Sequence, residues 1–132
     1  MQHKSKRTIM VSDDDLGILE CVKLMLEFEG YTVQTTPMGS SLLTLKELPD
    51  LILLDIWMSG VDGREICRLL KADPKTSHIP VMLFSASTHL SLSASEAGAD
   101  DYLEKPFEMH DLLKKIEQLL APVPMHLQAG SA

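Results

Sequence analysis

Short apolar runs alternate with amphipathic stretches along most of the chain. Five runs predict strands: "RTIMVS" (7–12), "YTVQT" (31–35), "LILL" (51–54), "IPVMLFS" (79–85) and "DYLE" (101–104). The segment after each strand predicts a helix, with the fourth helix in a serine-rich stretch. Strands and helices in strict alternation predict an α/β fold, in which five parallel strands form a doubly wound sheet covered by five helices.

The predicted helices differ in how clearly their apolar faces can be assigned. In the first helix, apolar residues recur at helical spacing at Ile18, Cys21, Val22, Met25 and Phe28. This stripe predicts the buried face, with Cys21 in the core and Gly30 as the C-terminal cap. Thr36 and Pro37 predict the start of a second helix that runs to about residue 48. A third is predicted at 61–73 and a fifth at 107–120.

Polar residues stand where the predicted strands end. Because the carboxyl ends of parallel strands meet at one edge of a sheet, and ligands bind at that edge, these residues are candidates for a common site. An aspartate that closes a buried strand loses hydration, so it needs a nearby partner for its charge. The candidates are Asp13 and Asp14 after the first strand, Asp55 after the third, Ser85 after the fourth and Lys105 after the fifth.

Composition limits the class of protein. The chain has 132 residues, enough for one domain, and we expect that domain at 7–120, between flexible ends at 1–6 and 121–132. Its net charge of -7 argues against nucleic-acid binding by this domain, which needs a basic face. No apolar run approaches the ~18 residues of a membrane span, and no signal peptide is visible. Two distant cysteines favour free thiols in the cytoplasm.

The types of side chain at the sheet edge point to phosphoryl chemistry. Three carboxylates brought together repel one another and stay ionised only if a cation shares their site. Oxygen ligands without His or Cys select a hard ion such as Mg2+. With a lysine and a hydroxyl nearby, the group is suited to forming an aspartyl phosphate.

The motifs at these positions resemble the receiver domain of two-component response regulators. The resemblance covers about residues 7–120 and rests on four segments in order: "IMVSDDD", "PDLILLDIWMSGVDG", "PVMLFSAS" and "GADDYLEKPF". It implies the strand order 2-1-3-4-5. It also implies that Asp55 is the phosphoacceptor, that Asp14 and Asp55 ligate Mg2+ directly with Asp13 acting through water, and that the backbone carbonyl of Trp57 completes the protein ligands.

Further roles are implied by the same resemblance. Lys105, the Ser85 hydroxyl and the Ala86 backbone amide would contact the phosphoryl group, and Ser85 with Tyr102 would form a conformational switch. The bond before Pro106 would be cis. The phosphate would come from a sensor histidine kinase or a histidine phosphotransfer protein. Output to a downstream protein would pass through the face of the fourth and fifth helices and the fifth strand. The domain would catalyse only its own phosphorylation and dephosphorylation.

Some positions depart from the family pattern. Ser59 stands where proline is usual, and Trp57 and Ser87 are unusual residues beside the expected phosphoryl group. The segment "SASTHLSLSASEAGAD" is short and rich in serine, a mediocre helix former, and Leu90 and Leu92 are not spaced for one helical face. We therefore expect a short or irregular fourth helix.

Other interpretations of the same residues exist. The Asp13–Asp14 pair is compatible with a simple acidic helix cap, and Asp55 with a turn residue that ends a strand. Ser85 is compatible with an ordinary polar strand end, Lys105 with a solvated surface lysine, and Tyr102 with the tyrosines that are common at strand ends. A haloacid-dehalogenase-type phosphohydrolase would need a second aspartate where Trp57 stands. A phosphorylation-dead receiver would be a pure interaction module, and a flavodoxin-like cofactor binder would need a phosphate-binding loop after the first strand.

Overall fold

A computed structural model describes residues 7–58, 60–86 and 89–121. The expected flexible ends, apart from Ala121, lie outside these residues, as do Ser59 and Ser87. In chain order the elements are β1 (Thr8–Ser12), α1 (Leu16–Phe28), β2 (Thr32–Thr36), a 3-10 helix (Gly39–Thr44), β3 (Leu51–Asp55), β4 (Trp57–Met58), β5 (Val61–Asp62), α2 (Gly63–Ala72), β6 (Val81–Ser85), α3 (Leu90–Ala97), β7 (Asp101–Glu104) and α4 (Met109–Leu120).

The five longer strands form one parallel sheet in the order β2-β1-β3-β6-β7. When the two-residue strands β4 and β5 are set aside, this is the expected order 2-1-3-4-5, and the expected doubly wound α/β sheet is confirmed. Ser12 pairs with Leu54, and Asp55 pairs with Phe84. This register brings Asp13, Asp55 and Ser85 to the same edge of the sheet.

The central strand β3 divides the core into two layers. All five of its residues are buried, and alternate side chains point to opposite faces of the sheet. Ile52 and Leu54 pack with the residues of α2 and α3, whereas Leu51 and Leu53 pack with those of α1 and α4. Burial on both faces explains why this strand has an unbroken apolar sequence.

The buried face of α1 differs from the expected one. Leu19, Val22 and Leu26 face the core, whereas Cys21 is exposed and Phe28 is 88% exposed. The expectation of a core Cys21 is therefore wrong, and of the predicted stripe only Val22 is buried. The helix has apolar residues on more than one side, so spacing alone does not select the buried side. Gly30, with a φ of 100°, follows the helix at the expected cap position.

The second helix is also shorter than expected. It is a 3-10 helix over Gly39–Thr44, in place of a helix from 37 to about 48. Glycine, serine and threonine make up four of its six residues, and these are weaker helix formers than alanine or leucine. Short 3-10 segments are frequent as connectors between other elements. The described residues thus contain four α-helices and this 3-10 helix.

The fourth helical segment is short, as expected, but regular. α3 has eight residues and ends at Gly98, whose φ of 79° is that of a left-handed cap. Its buried residues follow helical spacing, while Leu92 is 59% exposed. The four buried residues are Leu90, Ser93, Ala94 and Ala97. Three of them have small side chains, so a search for large apolar residues does not find this buried face.

Within the described part of the chain, no helix has both the length and the apolar character needed to cross a membrane.

Candidate functional site

Three carboxylates meet at the carboxyl edge of the sheet. Asp13 and Asp14 follow β1, and Asp55 ends β3. One oxygen from each carboxylate lies within 4.8 Å of the others. Asp13 and Asp55 are 1% and 5% exposed, whereas Asp14 is exposed. The strand register therefore produces a compact acidic cluster, open to solvent on the side of Asp14.

Lys105 supplies the positive charge of this cluster. Its Nζ lies 2.7 Å from Oδ2 of Asp13 and 3.6 Å from Oδ1 of Asp55. The same ammonium lies 4.8 Å from the centre of the Phe84 ring. Its backbone N–H donates a hydrogen bond to the Ser85 carbonyl at 2.9 Å, which continues the β6–β7 pairing. The peptide bond between Lys105 and Pro106 is cis.

The charges in the cluster do not balance. Burial is the largest cause that raises the pKa of Asp55 to about 6 from an ordinary 3.8, and the Asp13 charge raises it further. Lys105 lowers this pKa, but not enough to cancel the other effects. Asp55 is thus a carboxylate whose ionised form is disfavoured in the protein alone, and a further cation would stabilise it.

The donor set fits a hard divalent cation. Three carboxylates with one lysine provide oxygen ligands and excess negative charge, which is what Mg2+ requires. Oδ2 of Asp13 accepts a hydrogen bond from Nζ of Lys105, and Oδ1 of Asp13 accepts one from the backbone N–H of Asp15. Its oxygens are therefore engaged within the protein, and a water-mediated role suits it better than direct ligation. Trp57, the expected carbonyl ligand, follows Asp55 by two residues in β4.

The other expected residues are arranged around this cluster. Ser85 is 1% exposed at the end of β6, next to β3 in the sheet, and Ala86 follows it at the surface. Tyr102 lies in β7, partly buried, with Nζ of Lys115 5.3 Å from its ring centre. The structure therefore groups the acidic residues with Lys105 by direct contact. Ser85 and Ala86 lie at the neighbouring strand end, and Tyr102 lies outside the charged cluster.

A second charged group lies where the β4–β5 hairpin leads into helix α2. Asp62 accepts hydrogen bonds from the Arg64 guanidinium, and Cζ of Arg64 lies 4.8 Å from the centre of the Trp57 ring. The hydrophobic pattern of the sequence does not indicate a role for Arg64. Its two partners, Trp57 and Asp62, come together only because strands β4 and β5 pair. An aspartate two residues before an arginine at a helix start is the only local signal.

Comparison with known proteins establishes the family. Residues 9–117 match the family model described as response regulator receiver domain. The chain therefore belongs to the receiver domains of two-component response regulators, a family of phosphoacceptor switches that work with histidine kinases.

Several proteins that are similar to this chain are consistent with this assignment. The DNA-binding dual master transcriptional regulator RpaA of Synechocystis is 37% identical over 85% of this chain and 48% of its own length. A response regulator from Chloroflexus aurantiacus has a TM-score of 0.82 and 33% identity over 88% of this chain and 98% of its own. Response regulator TrrA of Thermotoga maritima was solved in complex with Mg2+-BeF. It has a TM-score of 0.78 and 32% identity, and the match covers 86% of this chain and 99% of the TrrA chain.

The chain spans about half the length of the curated relatives it matches. RpaA is described as DNA-binding, as is MtrA of Mycolicibacterium paratuberculosis, which is 35% identical to this chain. The expectation that nucleic acid is not a partner is therefore not supported by these relatives.

Proposed function

We propose that this chain accepts a phosphoryl group on Asp55 from the phosphohistidine of a kinase or phosphotransfer protein, in the cytoplasm, and that residues 7–120 form the switching unit. The observation that carries the proposal is the Lys105 ammonium placed 2.7 Å from Asp13 and 3.6 Å from Asp55, within a cluster of three carboxylates. A solvated surface lysine would not need to lie against buried carboxylates, and an acidic helix cap would not need to be buried as Asp13 is.

The residues of the cluster have distinct parts in the transfer. A carboxylate oxygen of Asp55 attacks phosphorus as the bond to the donor histidine breaks. Lys105, already close to Asp55, contacts a phosphoryl oxygen and offsets its charge. The Ser85 hydroxyl and the Ala86 backbone amide donate hydrogen bonds to the other phosphoryl oxygens.

Mg2+ would be held by Asp14 and Asp55, by the carbonyl of Trp57, and by Asp13 through water. When bound, the ion supplies positive charge to the oxygens of the transferring group. The raised pKa of Asp55 supports this assignment, because a neighbouring cation favours the ionised nucleophile. The relative TrrA, solved in complex with Mg2+-BeF, supports it from a related chain.

Phosphorylation would bias a two-state equilibrium. A hydrogen bond from Ser85 to the phosphoryl group draws that hydroxyl toward Asp55, and Tyr102 then moves into the space near Ser85. Output would pass to a protein that contacts the face of α3, β7 and α4. On that face, Lys115 binds Asp101 at 2.9 Å and lies over the Tyr102 ring, so a movement of Tyr102 would disturb it.

An intact mass measurement tests the acceptor. After incubation with acetyl phosphate and Mg2+, we expect the mass of one added phosphoryl group, lost in Asp55→Asn and in EDTA. Asp50→Asn is the matched control, since Asp50 lies at the opposite end of β3 and bonds the Thr8 N–H. Unchanged labelling of Asp55→Asn, or no labelling of the parent protein despite Mg2+ binding, would contradict the proposal.

A further inference from the structure

Helix α1 presents a second apolar face to the solvent. Leu24 is 57% exposed, Met25 is 38% exposed and Phe28 is 88% exposed. Cys21 is also exposed, and its Sγ lies 3.7 Å from Sδ of Met25. Single exposed apolar side chains are ordinary, but several side by side on one helix indicate a contact surface. We call this surface the outer face of α1, formed by Ile18, Cys21, Leu24, Met25 and Phe28.

No charged side chain of α1, which the structure describes in full, interrupts the outer face. With 3.6 residues per turn, Glu20, Lys23 and Glu27 lie outside it. The chain has a net charge of -7, and this charge opposes the approach of two copies through a charged surface. The outer face is therefore a region where two copies can meet without placing like charges opposite each other.

A groove of about 480 Å3 lies beside the N-terminal half of the outer face, between α1 and the segment that joins β7 to α4. The ring centre of Phe107 lies 6.1 Å from that of Phe84 in an edge-on contact, so this wall is held against the core. Lys105, at one end, is the only charged residue of the lining. The groove therefore suits an apolar side chain better than a polar ligand. Its lining includes Ile18, Cys21, Met25, Phe107 and Met109.

The protruding Phe28 and the groove are spaced so that a twofold axis can exchange them. Phe28 follows Cys21 by seven residues, which is about two turns or about 10.5 Å along the helix. An axis perpendicular to α1, midway between them near Leu24 and Met25, places Phe28 of each copy opposite Cys21 of the other. A surface that carries both a protruding side chain and a groove at matching distances from one axis is self-complementary. Self-complementarity is the condition for an isologous dimer.

We propose that the outer face of α1 binds a second copy of this chain, with the two α1 helices antiparallel and Phe28 of each copy in the groove of the other. Aromatic side chains that fill pockets dominate the binding energy of interfaces, so Phe28 is the main contact. One helix pair forms a small interface, so the dimer is reversible rather than obligate. The inference goes beyond the proposed function and does not depend on phosphorylation of Asp55.

Sedimentation equilibrium of the unphosphorylated 132-residue chain tests the association. In a reducing buffer with about 0.15 M salt, we expect a reversible equilibrium between monomer and dimer. Phe28→Ala should raise the Kd at least about 30-fold, as for an aromatic residue central to an interface. The 88% exposure of Phe28 means that this change leaves the monomer fold intact, which circular dichroism checks.

Leu16→Ala is the matched control. Leu16 is 67% exposed in the first turn of the same helix, but it lies on the side of α1 opposite the outer face. It removes a comparable amount of exposed apolar surface from α1. We expect its Kd to equal that of the parent.

The reactivity of Cys21 tests which surface is covered. The chain has two cysteines, and Cys67 is buried, with burial raising the pKa of its thiol to about 11. Iodoacetamide should therefore alkylate Cys21 first, which intact mass follows. In the parent, we expect alkylation to slow in proportion to the fraction of dimer as the protein concentration rises through the Kd. In Phe28→Ala, the rate should stay constant over the same concentrations.

Three outcomes would overturn the proposal. The first is a parent chain that stays monomeric up to about 0.5 mM, which leaves at most an affinity near the millimolar range. The second is a dimer that Phe28→Ala does not weaken, or that Leu16→Ala weakens equally. The third is a dimer that forms while the alkylation of Cys21 keeps its rate, because such a dimer uses another surface. A parent that gains no phosphate from acetyl phosphate would contradict only the proposed function.

Discussion

Lys105 follows strand β7 and Arg64 lies in the first turn of helix α2, and each pairs with a carboxylate and faces an aromatic ring. Their surroundings differ. Lys105 is 18% exposed and contacts Asp13 and Asp55, with Asp14 close by, so one cation serves three anions. Arg64 is 30% exposed and donates two hydrogen bonds from its guanidinium to Asp62. The first cluster is buried and unbalanced, and the second is exposed and neutral.

This difference distinguishes a cluster suited to binding a cation or a transferred group from a pair that only contributes to the structure. A buried excess of negative charge costs stability, so it persists only where a bound cation or a transferred group uses it. An exposed and balanced pair costs little and contributes little. The comparison therefore predicts that changes at Lys105 and Asp55 alter stability strongly and with a dependence on pH or metal. Changes in the pair of Asp62 and Arg64 should have small effects.

The largest effect is expected on removal of the buried cation. Lys105→Met keeps the apolar stem but leaves Asp13, which is 1% exposed, without its ammonium partner. We expect the metal-free protein to lose about 3 kcal/mol of unfolding free energy, as for a broken buried pair. Lys115→Met, which removes a partly exposed partner of Asp101, should cost at most about 1 kcal/mol. Urea denaturation in EDTA measures both, and equal costs would remove the distinction between the clusters.

A medium effect with the opposite sign is expected for Asp55→Asn. The pKa of Asp55 is about 6 in the folded protein, against an ordinary value of 3.8, so folding favours the protonated form. That contribution is present below pH 4 and is lost as the pH rises through 6. In EDTA the variant should therefore be more stable than the parent by at most about 3 kcal/mol at pH 7.5, because each of the roughly two units of pKa difference is worth about 1.4 kcal/mol, and the difference should vanish as the pH falls below about 4.

Urea denaturation of both proteins across this pH range measures the difference. Saturating Mg2+ should reverse the advantage of Asp55→Asn, since the ion binds the parent carboxylate better. A parent that is the more stable of the two in EDTA at pH 7.5 would show that Lys105 alone balances the cluster.

The smallest effect is expected at the pair of Asp62 and Arg64. Asp62→Asn keeps an oxygen that can cap α2 but removes the charge that binds Arg64. Because Arg64 lowers the pKa of Asp62, the charge stabilises the fold above pH 4 and ceases to do so as the pH falls. Asp62 is 38% exposed, so solvent screening limits the loss to about 0.5 kcal/mol, smaller still in 1 M salt. A loss as large as that of Lys105→Met would contradict this assignment.

The layout of the site could be predicted from the sequence because it depends on strand ends. Parallel strands place their carboxyl ends together whatever covers the sheet, and apolar runs locate those ends within one or two residues. Asp13, Asp14, Asp55 and Lys105 therefore come together as expected. The same reasoning yields the doubly wound topology, since unbroken apolar strands require cover on both faces.

Features that depend on side-chain packing could not be predicted in this way. The buried face of α1 was assigned to the wrong side because the helix is apolar on more than one side. Leu19 and Leu26 also lie at helical spacing, so only their packing against the neighbouring layer distinguishes them from the predicted stripe. The contact between Trp57 and Arg64 depends on two strands of two residues each, too short for any periodic signal.

The small residues of α3 have a consequence for how easily this helix can be displaced. Leu90 is its only large buried side chain, and Ser93, Ala94 and Ala97 bury few carbon atoms. At about 25 cal/mol per Å2 of apolar surface, moving such a helix forfeits much less free energy than moving one held by several leucines. One charge-assisted hydrogen bond, worth about 1.5–3 kcal/mol, is therefore a larger fraction of the packing energy of α3 than of the packing energy of a leucine-rich helix.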